Sequence, residues 1–256
     1  MSLNKQTFKF KLVSGVEAEV TELTGKHQRI LTQRLKGQTH SDRLNLLLAD
    51  VLVRVGSFKA IDLDFVENML SEDRRLALLM ARQFTMDFED KFKFTYEYEG
   101  MDGSTQTHDL EIPLKDDGTF PIHPMKIQFD EYADIERERF VTLPKSGIKV
   151  KYVLLDGKGE RIGIQAKKDE RSSHTILEMR RPQYEKEEGV WLKLPLDDLG
   201  LKDIEALRED MKSAEGRVDT EIKFEHPDAE NREPSEKWVV VDVLGTVNFF
   251  FPSGTI

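Results

Sequence analysis

Lys91-Phe92-Lys93-Phe94-Thr95-Tyr96-Glu97-Tyr98-Glu99 decides how the rest of this chain is read. Every second residue is aromatic and the residues between are polar. Such alternation puts one face of a strand in a core and the other in water. Gly100 to Gly103 supplies a turn, and residues 108–114 read as the return strand of a hairpin. Asp116-Asp117-Gly118 marks a further turn. The aromatic face has two readings: sheet core, or a base-stacking platform of the kind single-strand binders use. Glu97, Glu99 and Asp102 argue against the platform, because phosphates repel carboxylates.

Upstream of this hairpin, helix patterns dominate. Residues 8–13 alternate as a short strand, and residues 17–21 form a second. Thr24 is placed to cap a helix over 27–35, ended by Gly37. Ser41-Asp42 opens a second helix. Its apolar residues Leu44, Leu47, Leu48, Val51, Leu52 and Val55 recur at helical spacing up to Gly56. Asp62 caps a third helix holding Phe65, Val66 and Met69. Ser71 caps a fourth, with Glu72 and Asp73 at its positive dipole end and Leu76, Leu79, Met80 and Phe84 on one face.

Downstream, strand patterns take over. Residues 130–147 are charged, contain Pro144 and Gly147, and are expected to be a linker or surface helix. Residues 148–155 and 161–164 read as strands about an Asp156-Gly157 hairpin turn, and residues 175–179 extend that sheet. Leu201, Ile204, Leu207 and Met211 share one face of a helix over 197–211. Residues 220–225 and 238–244 read as strands, joined by a polar loop over 227–236. Gly245 is placed to bulge the last strand before 247–251. The fold class expected is α+β with antiparallel sheets. It divides into a helical block plus hairpin (1–129), the linker (130–147) and a β-rich part with one helix (148–256).

Composition narrows function. The 48 acidic and 38 basic side chains leave a net charge of −10, which disfavours a generic nucleic-acid binder. No cysteine is present, so disulfides, thiolate metal sites and cysteine nucleophiles are excluded. Residues 1–10 are not expected to be a signal peptide, and no apolar run is long enough for a bilayer. Neither lipid anchor nor membrane partner is expected.

Motifs for chemistry are missing. None of the six histidines pairs at i, i+3 or i, i+4. His108 and His123, with Asp109, are the nearest to a metal set, and surface or turn positions account for them as well. There is no GxxxxGK[ST] and no GxSxG. Gly157-Lys158-Gly159 resembles a phosphate loop only until it is placed in a hairpin, where no helix dipole follows. The acid pairs Asp62/Asp64, Asp116/Asp117 and Asp197/Asp198 read as caps and turns rather than a facing catalytic pair. No catalytic, cofactor-binding or metal residue is therefore assigned, and no cofactor is expected.

Several segments together resemble the baseplate hub assembly proteins, or tail assembly chaperones, of T-even-type contractile bacteriophages. They are Val20-Thr21-Glu22-Leu23-Thr24, Arg29-Ile30-Leu31, Gly56 after an apolar helix, and above all Glu72-Asp73-Arg74-Arg75-Leu76-Ala77-Leu78-Leu79-Met80-Ala81-Arg82 leading into the alternating strand. The likeness covers about the first 115 residues and is looser over 148–251. Many members carry a CxxC pair in the hairpin, whereas residues 99–103 here hold none. The resemblance implies a non-enzymatic protein that binds other tail or baseplate proteins stoichiometrically, in the host cytoplasm during assembly or within the virion baseplate. Such a protein needs apolar or strand-edge surface for its partners. Phe58, Ile61, Phe65 and Met69, with Phe249, Phe250 and Phe251, are the candidate partner-binding residues, and core burial accounts for them equally well. A generic ligand- or peptide-binding module and an acid-pair hydrolase remain as alternatives.

Overall fold

The computed structural model describes residues 6–32, 39–87, 91–100, 103–113, 120–165 and 175–245. Its helices concentrate in the N-terminal half and its strands are antiparallel, an α+β fold. The N-terminal sheet runs β1 (Thr7–Lys11), β2 (Glu17–Thr21), β3 (Leu52–Val55). Between the last two lie α1 (Gly25–Thr32) and α2 (His40–Val51). After them come α3 (Leu63–Asn68) and α4 (Ser71–Thr85). The alternating stretch is β4 (Lys91–Glu99), paired along its whole length with β5 (Thr105–Pro113).

The second half begins with β6 (Ile122–His123), β7 (Glu138–Thr142) and β8 (Lys149–Val153). Helices α5 (Gly157–Gln165) and α6 (Thr175–Glu178) precede the hairpin β9 (Gln183–Glu187) and β10 (Val190–Lys193). The four-stranded sheet has the order β10-β9-β8-β7. Then follow α7 (Leu201–Glu215), β11 (Arg217–Val218), β12 (Glu221–Glu225) and β13 (Trp238–Asp242). β11 returns to pair with β6, and β12 pairs with β13.

Helix α4 organises the molecule. An amphipathic helix buries one stripe, but here Leu76, Ala77, Leu78, Leu79, Met80 and Ala81 are all buried, so neighbours close on every side. Its charged first turn is spent on those neighbours. Glu72 accepts from Val218 N (2.8 Å), and Asp73 from Ser14 N (2.9 Å). Arg74 donates to Glu160 (2.8 Å) and to Asn45, and Arg75 to Thr220 and Asp242 (2.6 Å each). Six acceptors and donors from both halves of the chain are thereby fixed to one helix turn. The apolar cluster is equally continuous, running from Leu12 through Leu79 and Val150 to Leu244.

Several expectations are corrected. Residues 130–147 are neither linker nor surface helix. A 3₁₀ turn at Tyr132–Asp134 leads into β7, whose outward residues Glu138, Phe140 and Thr142 are exposed and whose Arg139 and Val141 are half-buried. Asp156-Gly157 is no hairpin turn: Asp156 Oδ1 accepts from Gly159 N (2.7 Å) and its carbonyl from Glu160 N (3.0 Å), which caps α5. Residues 175–178 are likewise helical rather than strand. The second helix starts one residue early, on a capping box between Thr39 and Asp42, and yields at Leu52 to β3. Ser71 is the first residue of α4 and makes no side-chain cap. Leu201 is 83% exposed, so it leaves the buried face that Ile204, Leu207 and Met211 form. Gly245 ends a 3₁₀ turn rather than bulging a strand. Gly37, the turn at 116–118 and residues 247–251 lie outside the described residues.

Candidate partner-binding surfaces

The first surface grows from a tight turn. Val55 and Phe58 exchange N–H···O bonds of 3.0 Å, and Gly56 between them sits at φ +55°. A Cβ there would lie 2.6 Å from a Glu131 carboxylate oxygen that already holds Ser57 N, and the positive φ is one that glycine adopts most readily. The turn projects Phe58, 38% exposed, against Phe65 (centroids 5.1 Å apart), which in turn leans on buried Tyr132 (5.7 Å). The Tyr132 hydroxyl accepts from Leu70 N (2.6 Å), and burial holds that phenol well above its ordinary pKa. Ile61 is half-buried and packs against the core. Phe58 and Phe65 thus form one apolar edge. Met69 does not join it: just past the end of α3 it is fully buried, with its carbonyl accepting from Gly157 N (3.3 Å), and it belongs to the core. Phe249, Phe250 and Phe251 lie outside the described residues.

A second surface was not singled out from sequence. Tyr96 and Tyr98 of β4 stack 5.7 Å apart. Tyr96 meets Phe224 of β12 edge-on (5.2 Å), and Tyr98 meets His226 (4.9 Å). Two hairpins separated by more than a hundred residues are so joined through rings. Beside the joint lies an open cleft of about 740 Å³, closed on the other side by Trp238, Val239 and Val240 of β13. Asp228 N donates to His226 Nδ1 (3.0 Å), so that nitrogen carries no proton. Burial, reinforced by Arg232, lowers the pKa of the imidazole. Glu99, Glu236 and Arg232 are the charged residues of the lining. The alternation that announced β4 foretold the rings, but nothing local foretold their partner strand.

A third surface is the outer face of the four-stranded sheet. Phe140, 52% exposed, faces Trp191 (5.7 Å) across it. Lys149 and Lys151 lie over the indole at 5.6 and 5.1 Å. Lys149 is also paired with Glu185 (3.1 Å).

The groups that suggested chemistry are placed elsewhere. His123 faces Asp219 (3.0 Å), while Asp109 accepts from Thr95 (2.8 Å). Asp62 caps α3 through Phe65 N, Asp64 accepts from Lys158 (3.1 Å), and Asp197 and Asp198 sit exposed on a 3₁₀ turn. Asp116 and Asp117 lie outside the described residues. Among the described residues, no group of three or more histidines and carboxylates is arranged to hold a metal ion. No helix among them is long and apolar enough to cross a membrane. The chain matches no family model, no curated protein and no solved structure.

Proposed function

We propose that this chain is a non-enzymatic assembly protein of a contractile bacteriophage tail, acting by stoichiometric binding to other tail or baseplate proteins. The observation that carries the reading is the role of the segment 72–82, where the resemblance to baseplate hub assembly proteins is densest. That segment is the buried helix on which both halves of the chain are hung. Its charged residues are engaged in holding the fold, while the aromatic groups at Phe58, Phe140 and Trp238 are exposed. Outward rings on a rigid frame suit partner recognition, in which buried aromatic anchors supply most of the binding energy.

The test is size-exclusion chromatography of the chain co-expressed with tail tube, sheath and baseplate proteins. Co-elution with one of them in a salt-stable complex is expected. A chain that elutes alone beside every one of them removes the reading. A second reading, a peptide-binding module outside any tail, is favoured by the Tyr96–Trp238 cleft alone.

A further inference from the structure

We propose that the exposed edge of β13 is a docking strand for an extended, lysine- or arginine-bearing segment of a partner protein. This rests on the reading of the chain as a protein-binding component and names the surface it uses.

The argument starts from the ladder between β12 and β13. His226 N bonds to Lys237 O (2.8 Å) and Val243 N to Thr220 O (3.0 Å), at the two ends of one antiparallel register. In such a ladder every second pair exchanges hydrogen bonds. Pairs 226/237 and 220/243 being bonded, 224/239 and 222/241 are bonded as well. The N–H and C=O groups of Trp238 and Val240 therefore point away from β12, toward the other side of the strand. No backbone bond to either group occurs among the described residues. Unpaired edge groups are a template for a further strand.

The same counting applies to β4. Gly100 N bonds to Ser104 O (2.8 Å), so the peptide groups of Glu97 and Glu99 point away from β5. The outward Glu99 carbonyl is met by Arg232 (3.4 Å) at the rim of the cleft that Trp238 and Val240 also line. The cleft is thus bounded by peptide edges and floored by Tyr96, Tyr98 and His226.

Side chains set the occupant's chemistry. Trp238 and Val240 are 53% and 57% exposed, a lipophilic strip on an edge without proline, with Lys223 of β12 lying over the indole (4.8 Å). Glu99 and Glu236 outnumber Arg232 in the lining, and Asp228 acts on both Tyr98 and His226 against Arg232. An extended segment alternating apolar and basic residues satisfies both demands, whereas a polyanion satisfies neither.

The probe is a fluorescent, end-capped seven-residue peptide alternating lysine and valine, titrated into the full chain by anisotropy. Controls are the same peptide with glutamate for lysine, and a version with N-methylated backbone on one edge. Val240→Pro removes the outward N–H while leaving the β12 ladder intact, because that N–H takes no part in it. Saturable binding of the basic peptide is expected, weakened at least tenfold in both controls and in V240P. Glu236→Lys, which leaves the backbone untouched, is expected to reverse the preference between lysine and glutamate peptides, and it decides the matter if V240P melts early. Absence of binding, or equal binding by the glutamate peptide and by E236K, overturns the proposal. Co-elution with a tail protein that survives in a folded V240P overturns the docking strand while leaving the assembly role standing.

Discussion

Asp73 is the residue where burial and charge are most opposed. It is wholly buried, only one carboxylate oxygen accepts from Ser14 N, and burial lifts its pKa to about 6. In the unfolded chain the carboxyl titrates near 3.8. As pH rises, the unfolded state loses this proton first, so stability falls from about pH 4 and the loss is complete above about pH 7. The gap of about two pH units corresponds to about 3 kcal/mol. Asp73→Asn keeps an acceptor for Ser14 and removes the titration. Urea unfolding at pH 4 and pH 7 should show the variant gaining up to about 3 kcal/mol on the parent between the two; a constant difference contradicts the assignment. Arg74 poses the reverse case. Its guanidinium is 5% exposed and holds Glu160 and Asn45, so Arg74→Met strands a carboxylate and is expected to cost about 3–5 kcal/mol in the same assay. Lysine, lacking the planar fork, is not expected to restore the loss.

At the scale of elements, legibility follows how far each signal reaches. β4 was plain because alternation over nine residues excludes a helix. Asp156-Gly157 misled because aspartate serves turns and helix caps alike, and the four residues after Glu160 fit either period. β7 hid among charges because an edge strand with one wet face needs few apolar residues. Leu52 and Val55 kept the helical spacing of α2 by coincidence, and both are buried in β3, where the pairing with β2 shifts register between Glu19 and Val20. Of the candidate site, Phe58 and Phe65 were readable as an apolar cluster, but burial of Met69 was not, since it depends on how the chain re-enters the core after Asn68. The Tyr96–Trp238 cleft was unreadable for the same reason: its walls are 140 residues apart. The cap of α2 is testable directly. Thr39→Ala deletes the acceptor for Asp42 N and is expected to lower stability by about 1 kcal/mol, seen as an earlier denaturation midpoint with unchanged urea sensitivity. An unchanged midpoint contradicts the capping box.

The whole molecule is tied together through α4, with one apolar cluster and charged contacts from its first turn to strands and helices of both halves. Calorimetry should therefore record one transition whose calorimetric and van't Hoff enthalpies agree; two resolved transitions mean the halves are independent. Such a frame has a purpose if its work is to present surfaces rather than to turn over substrate. Native mass spectrometry of the chain co-expressed with baseplate proteins tests that most directly. A complex holding this chain and a tail protein in a fixed whole-number ratio is the predicted result. A spectrum in which the chain appears only by itself, whatever is expressed beside it, contradicts the account.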